Sequence, residues 1–454
     1  MGTATRARTR RSDEGRPARS RRQRGNGHRA GGHRSAPAPQ SSGSASVPVP
    51  RPLSRVGRVG PFQLRQLVLV ELALALAAVG VALQGLWLIP TLAVAVLLLL
   101  FAVVRRRGQA VQDWSSTALA LRARRRTAAP AAVDVDPSLA PIVEGLPGFR
   151  PFPYVDRKRR TVGMLGDGTF LTAVVRVEAG GAAPRPAFGA RTLPLSLLGG
   201  ALEVDDIVLE SVQLVQQVRS APAPHLPQQA VARLSYAPLQ QRTGAPALRM
   251  TWVALKLDPE RCREAIEARG GGVEGAQRCL VRAADHVASR ITGAGFEAVV
   301  LDQEELNSTM ATAACASPRL AARAHRPDAT PQRRTVETAR VWRCDDRWHT
   351  TYAVGRWPDL ANGGEGSALA KLVSLLTATP AYATTFSLAM HRGSRQGAVD
   401  VTGYVRITGG SDTELIGVRR ALEQAARSAK VGLGRLDREQ LPGVLATLPL
   451  GGTQ

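Results

Sequence analysis

Carboxylates come closest to forming a chemical motif in this chain. Asp134-Val135-Asp136 is a D-x-D of the kind that holds a divalent metal and a sugar diphosphate in many glycosyltransferases. It lies in a Pro- and Ala-rich stretch away from any predicted strand end, and reads as solvated linker charge. Asp302, Glu304 and Glu305 follow a predicted strand, where the positive end of a helix dipole favours acids without any catalysis. Gly363-Gly364-Glu365-Gly366-Ser367 precedes Lys371 but lacks the G-x-x-x-x-G-K-[ST] spacing of a phosphate loop, and reads as a turn with a helix cap. Gly163, Gly166 and Gly168 sit inside a predicted strand-turn-strand, not between strand and helix as a dinucleotide site requires. No Gly-x-Ser-x-Gly elbow and no His-Glu-x-x-His pattern occurs. Cys262, Cys279, Cys315 and Cys344 are far apart, and Cys344 with His349 is the nearest approach to a ligand pair. Reduced thiols packed as small hydrophobes fit better. The residues therefore imply no enzyme, no metal and no cofactor.

The element that stands out is apolar. Between Leu67 and Val104 the only ionisable residue is Glu71. One straight helix of that length would run about 57 Å, almost twice the roughly 30 Å of a bilayer's hydrocarbon core. Gln84-Gly85, followed by Trp87 and Pro90, divides the run into Leu64 to Leu83 and Leu86 to Val104, each of about the 20 residues a span requires. Arg51, Arg55, Arg58 and Arg65 precede the first helix, Arg105, Arg106 and Arg107 follow the second, and the turn carries no charge, so both termini are expected on the cytoplasmic side. Ala73, Ala77 and Gly80 recur at spacings of four and three, and predict a face of the first helix where backbones approach closely. That face can receive the second helix, through Ala93 and Ala95, or a helix of another subunit. Glu71, near the cytoplasmic end, reads as an interfacial carboxylate.

On either side the chain is basic. Residues 1–60, rich in Arg, Ser, Pro and Gly, cannot bury enough surface to fold and are expected to be disordered. Residues 105–126 place Val111, Trp114, Ala118 and Leu121 at helical spacing between Arg105, Arg106, Arg107 and Arg122, Arg124, Arg125, Arg126, as in a helix lying on anionic lipid. A solvated continuation of the second span is the competing reading. The formal charge of +24 comes almost wholly from Arg, as a high-GC coding bias produces, and the tail lacks the interleaved aromatics that stack on bases. No specific nucleic acid is expected as a partner.

From Gly148 onward the pattern is mixed. Thr161 to Leu165 and Thr169 to Val177 predict a hairpin about Gly166-Asp167-Gly168, Pro194 to Leu202 a short helix, and Ile207 to Val218 a half-buried strand. Residues 219–246 read as a long surface loop. Arg249 to Leu257 is a strand, Asp258 caps a helix to about Arg269 with Pro259 in its first turn, Gly270 to Gly272 break it, and Cys279, Leu280, Ala283, Val287 and Ile291 mark one face of a second helix before a strand at Phe296 to Leu301. Strands at Thr335 to Arg343, His349 to Trp357, Ala381 to His391 and Ala398 to Thr408, with helices at Ser367 to Leu376 and from the Ser411 cap to Ala429, echo that order. The fold class expected is α/β, a mixed sheet with flanking helices, behind a two-helix transmembrane hairpin and a disordered basic tail. The domains expected are the tail over 1–60, the hairpin over 61–104, a basic juxtamembrane helix and linker over 105–147, and a cytoplasmic unit over 148–454 with two sub-units divided near 315–334.

In its order of parts the chain resembles the EccE family, a membrane component of the bacterial type VII secretion machinery. The carriers are the hairpin LVLVELALALAAVGVALQGLWLIPTLAVAVLLLLFAVV, the basic stretch after it, and TWVALKLDPERCREAIEARGGGVEGAQRCLVRAADHVASRITGAGFEAVVL. The resemblance implies a non-catalytic accessory subunit of an inner-membrane translocon. Its partners would be the other subunits of that complex, including its ATPase, with anionic lipid at the membrane surface. The long Arg-rich tail departs from the family's pattern. A membrane-anchored glycosyltransferase-like enzyme and a nucleic-acid-binding membrane protein are the competing classes.

Overall fold

Most strand-forming residues from position 150 onward gather into one twelve-stranded sheet, described in a computed structural model; Tyr154–Val155 with Thr161–Val162 and Glu203–Val204 with Ile207–Val208 form two short ladders apart from it. The structure describes residues 58–59, 62–83, 88–103, 105–106, 109–128, 135–157, 159–180, 192–219, six positions from 229 to 238, and residues 248–326, 330–358, 367–393 and 398–452. The chain divides into two units, Met1–Ser44 and Ala45–Gln454, and all of these residues fall in the second. The basic tail (apart from Arg58 and Val59), the turn at Gln84-Gly85, Arg107, Asp134, most of the loop at 219–246 and the Gly363–Gly366 stretch lie outside them.

The helices are α1 (Leu64–Leu83), α2 (Leu88–Val103), α3 (Val111–Arg126), α4 (Ala140–Val143), α5 (Leu195–Gly199), α6 (Arg263–Ala268), α7 (Gly272–Gly293), α8 (Gln303–Ala314), α9 (Pro318–Ala324), α10 (Ser367–Thr377), α11 (Asp412–Ser428) and α12 (Gln440–Leu445). The strands of the large sheet are β1 (Arg150–Pro151), β2 (Met164–Gly166), β3 (Leu171–Ala179), β4 (Ser211–Arg219), β5 (Leu248–Leu257), β6 (Phe296–Val300), β7 (Thr335–Glu337), β8 (Trp342–Cys344), β9 (Arg347–Arg356), β10 (Ala383–Arg392), β11 (Val399–Gly409) and β12 (Gly432–Arg435).

Their order is β7-β8-β9-β11-β10-β4-β5-β3-β2-β1, with β6 beside β3 and β12 beside β9. Every pairing is antiparallel, so the mixed sheet expected from the sequence is corrected. The physical reason is in the crossovers. The strand leaving α7 does not pair with β5, the strand that entered it; it pairs with β3, which lies between them. This is the split β-α-β arrangement of ferredoxin-like folds.

The same arrangement occurs twice. β3, α5, β4, β5, α7, β6 and α8 are followed, in the same order and with the same neighbours, by β9, α10, β10, β11, α11, β12 and α12. The hairpin β2–β3 has its counterpart in β8–β9. The two halves meet edge to edge where β4 pairs with β10 from Ser211↔His391 to Val218↔Thr384. The echo in the sequence is thus a structural repeat, joined through its central strands.

Alternation along the strands builds three layers. Val253, Leu255 and Leu257 of β5 face α7, where Cys279, Leu280, Ala283, Val287 and Ile291 are all fully buried as the periodicity predicts. Trp252 and Ala254 face the other way, against Leu306 and Met310 of α8. Two local expectations are corrected. Asp258 closes a turn by accepting from Glu260 N and does not cap α6, whose N-cap is Cys262. β4 is not half-buried: it lies at the centre of the sheet, and its polar Ser211, Gln213 and Gln217 are buried. Ser211 and Gln213 find partners there in a segment that the sequence left unassigned. Gln213 Nε2 donates to Ser387 Oγ (2.8 Å) and Ala446 O (2.9 Å), and its carbonyl accepts from Gly451 N (2.8 Å). Ser211 and Thr172 donate to Gly451 O and Leu450 O. Gly451, at φ +93°, lies so close to Lys256 that a β-carbon would fall 3.1 Å from its Cδ.

Candidate functional site: a helical hairpin and its basic docking helix

α1 and α2 form where the apolar run predicts, and the described part of α2 runs from Leu88 to Val103. Among the described residues no helix is long and apolar enough to cross a membrane. The two helices pack on one another. Ala73 is 2% exposed, Ala77 is half-buried and Gly80 is buried, so the three small residues do share a face. A β-carbon on Gly80 would lie 3.0 Å from Thr91 Cβ, which places α2 directly against that face. On α2 the buried small residue is Ala95, while Ala93 is exposed. Thr91 went unremarked in the sequence; its spacing of four from Ala95 was the signal. Away from this seam the hairpin is covered in exposed apolar side chains, among them Leu74, Val81, Ile89 and Leu97. Glu71 is exposed as well.

α3 joins the hairpin to the sheet. Thr117 and Leu121 are buried, and Arg124 continues their face. Arg124 makes a two-pronged ion pair with Glu337 of β7, Nε to Oε2 at 3.1 Å and Nη2 to Oε1 at 3.0 Å, and also donates to Arg438 O. Arg125 donates to Glu337 O at 3.1 Å. Glu337, 9% exposed, further accepts from Leu441 N in α12. Of the cluster expected at a membrane surface, Arg124 and Arg125 are therefore engaged by the folded unit, while Arg122 and Arg126 are exposed. Arg105 and Arg106 lie in a two-residue ladder with Gln109–Ala110. No periodicity pointed to Glu337, because its partner is more than 200 positions away.

Among the described residues, those weighed for catalysis do not converge. Asp136 accepts from Ser138 N and Oγ and from Asn307 Nδ2; burial works against its ionisation, but these hydrogen bonds outweigh it and hold the carboxyl below the usual range. Asp302 and Glu305 form a reciprocal capping box on α8. All four cysteines are free and buried. Burial pushes the Cys279 thiol up to about 11 and that of Cys344 well above its ordinary value, so both stay protonated. His349 accepts from or donates to Thr408 Oγ1 through Nδ1 at 3.0 Å, and burial, with Arg406 and Arg347 nearby, holds its pKa well below the ordinary value. Arg406 is wholly buried and donates to Thr385 Oγ1 and to Ala313 O, in the last turn of α8, where the negative end of the helix dipole offsets its charge. Among the described residues no group of three or more His, Cys, Asp or Glu is placed to hold a metal ion.

The features together define a class: an apolar two-helix hairpin tied by a basic helix to a duplicated antiparallel α/β unit, whose reactive groups are buried in structural bonds. Residues 245–354, from just before β5 into β9, match the family model described as "Putative type VII ESX secretion system translocon, EccE". Over 222 residues the chain is 30% identical to the ESX-1 secretion system protein EccE1 of Mycobacterium tuberculosis, and over 226 residues 28% identical to the protein of the same name in Mycolicibacterium smegmatis. These matches cover 46% and 47% of this chain and 42% of each relative, so the chain spans less than half the length of the curated relatives it matches. The resemblance to the EccE family is borne out.

Proposed function

We propose that this chain is a non-catalytic accessory subunit of a bacterial type VII secretion translocon, held in the inner membrane by α1 and α2 with the segments on either side in the cytoplasm. The observation that carries the reading is the family match over residues 245–354, the stretch that builds α6, α7 and the strands around them. The exposed apolar girdle of the hairpin supports the membrane anchor, because contiguous apolar surface of this extent is unfavourable in water. Arg105, Arg106, Arg107, Arg122 and Arg126 contact anionic lipid, and the other translocon subunits, its ATPase included, are the protein partners. Asp136 is engaged by Ser138 and Asn307 in the turn before α4, which favours the accessory role over the glycosyltransferase reading.

Co-purification from mildly solubilised membranes tests the reading. The chain should run in a large complex that contains an ATPase; recovery as an isolated protein would remove the secretion role. Reporter fusions at Gly60 and Arg126 should both report cytoplasm and one at Gly85 the outside, and a cytoplasmic signal at Gly85 would end the two-span topology. The purified chain should neither bind nor turn over nucleotide sugars, and saturable binding lost on changing Asp134 and Asp136 would restore the enzyme class.

A further inference from the structure

The two halves of the sheet differ most where β5 gives way to α7. The second half passes from β11 to α11 through Gly410 and Ser411 alone, whereas the first inserts the turns after Asp258 and the whole of α6. α6 thereby walls a cleft of about 400 Å³ that opens against the turn between β2 and β3. Its apolar lining includes Phe152, Phe170 and Ile266. At its mouth Val273, in the first turn of α7, is 56% exposed.

The cleft's charge runs against that of the molecule. Residues 258–267 carry four carboxylates against two guanidinium groups, in a chain whose formal charge is +24. Glu260 and Glu267 both line the cleft and both are exposed. Among the described residues neither has an ion-pair partner, whereas Asp258 is held by Arg261 and Glu274 by Arg278. Among the described residues Arg263 is the only basic residue on the lining. An apolar floor with unspent negative charge at its rim suits a ligand that brings an apolar group and a cation together. A small polar ligand would find no directional partners on that floor, while a peptide side chain needs none.

We propose that this cleft docks a segment of a partner protein in which an apolar side chain is flanked by arginine or lysine. The apolar group lies against Phe152, Phe170 and Ile266, and the flanking cation lies between Glu260 and Glu267. The inference does not depend on the secretion or membrane reading, and its test uses only the purified full chain.

The probe is an array of fluorescent hexapeptides with Trp, Leu or Phe at the two central positions and either Arg or Glu at the four flanking ones, titrated against the full chain in detergent. Members of the Arg-flanked set should bind saturably and at least tenfold more tightly than their Glu-flanked counterparts, with affinity falling as salt rises. The double variant Glu260→Lys, Glu267→Lys should reverse that preference, and Val273→Asp should weaken both sets, each with an unfolding temperature equal to that of the unchanged chain. Absence of binding across the Arg-flanked array overturns the proposal, as does binding that is indifferent to flanking charge or to these substitutions. Self-association that disappears in Val273→Asp, with no peptide bound, would overturn it in favour of a second copy of this chain.

Discussion

At the scale of single residues, the contact between Arg124 and Glu337 links two parts of the chain that share no local sequence signal. The Glu337 carboxylate is nearly buried and the Arg124 guanidinium about one-fifth exposed, so removing one partner leaves a charge that water only partly reaches. Arg124→Ala should lower stability by about 2–3 kcal/mol, below the full cost of breaking a buried pair because of that exposure. The double variant with Glu337→Gln should cost less than the sum of the singles, and denaturant unfolding of all three reads the coupling. His349 gives a second expectation. The folded chain keeps this ring neutral, whereas an exposed histidine takes up a proton near pH 6.5, so below that pH the unfolded state binds more protons. Stability should therefore fall as pH drops from about 6.5, by up to about 1.4 kcal/mol per pH unit. His349→Phe should flatten that part of the profile of unfolding temperature against pH, and an unchanged slope would assign the acid loss to other groups.

At the scale of elements, what the sequence made legible was periodic and local. The face from Cys279 to Ile291 predicted α7, and the small residues of α1 predicted a packing face that the structure turns toward Thr91 and Ala95. Within the chain that face is already occupied, so Gly80→Leu should separate α1 from α2 before it disturbs any other subunit. Ala77→Leu, at a half-buried position, should have the smaller effect, and unfolding of the two variants in detergent reads the difference. What was not legible was pairing across distance. Gln213 and Gln217 made β4 look half exposed because their partners, Ala446 O and Ala313 O among them, lie on segments about a hundred or more residues away. The antiparallel sheet was hidden for the same reason, since which strand slips between β5 and β6 is decided by tertiary packing and not by any spacing.

For the whole molecule, the duplication puts the most exposed edge of each half at the same place. β4 pairs over eight positions with β10, and a chain cut between α8 and β7 would leave the nine residues of β4 without that neighbour. The first half expressed alone should dimerise through β4, copying the seam it makes with β10, and size-exclusion chromatography across a concentration series would detect it. A monomeric, cooperatively folded fragment would show that each half stands without the other. The asymmetry between halves is as informative as the repeat: the resemblance to the EccE family runs through the half that carries α6 and on to β9, across the boundary between the two.

The placement of residues 446–451 against Ser211, Gln213 and Ser387 also sets an order in time. These carbonyls and amides come from the last of the described residues to leave the ribosome, yet one of the strands they satisfy, β4, is made more than two hundred residues earlier. Until they arrive, the middle of the sheet presents its hydroxyl and amide groups to water, and the face that α8 and α12 cover remains unfinished. A chain cut before Ala446 should therefore be more open to protease along β4 and β10 than the full chain.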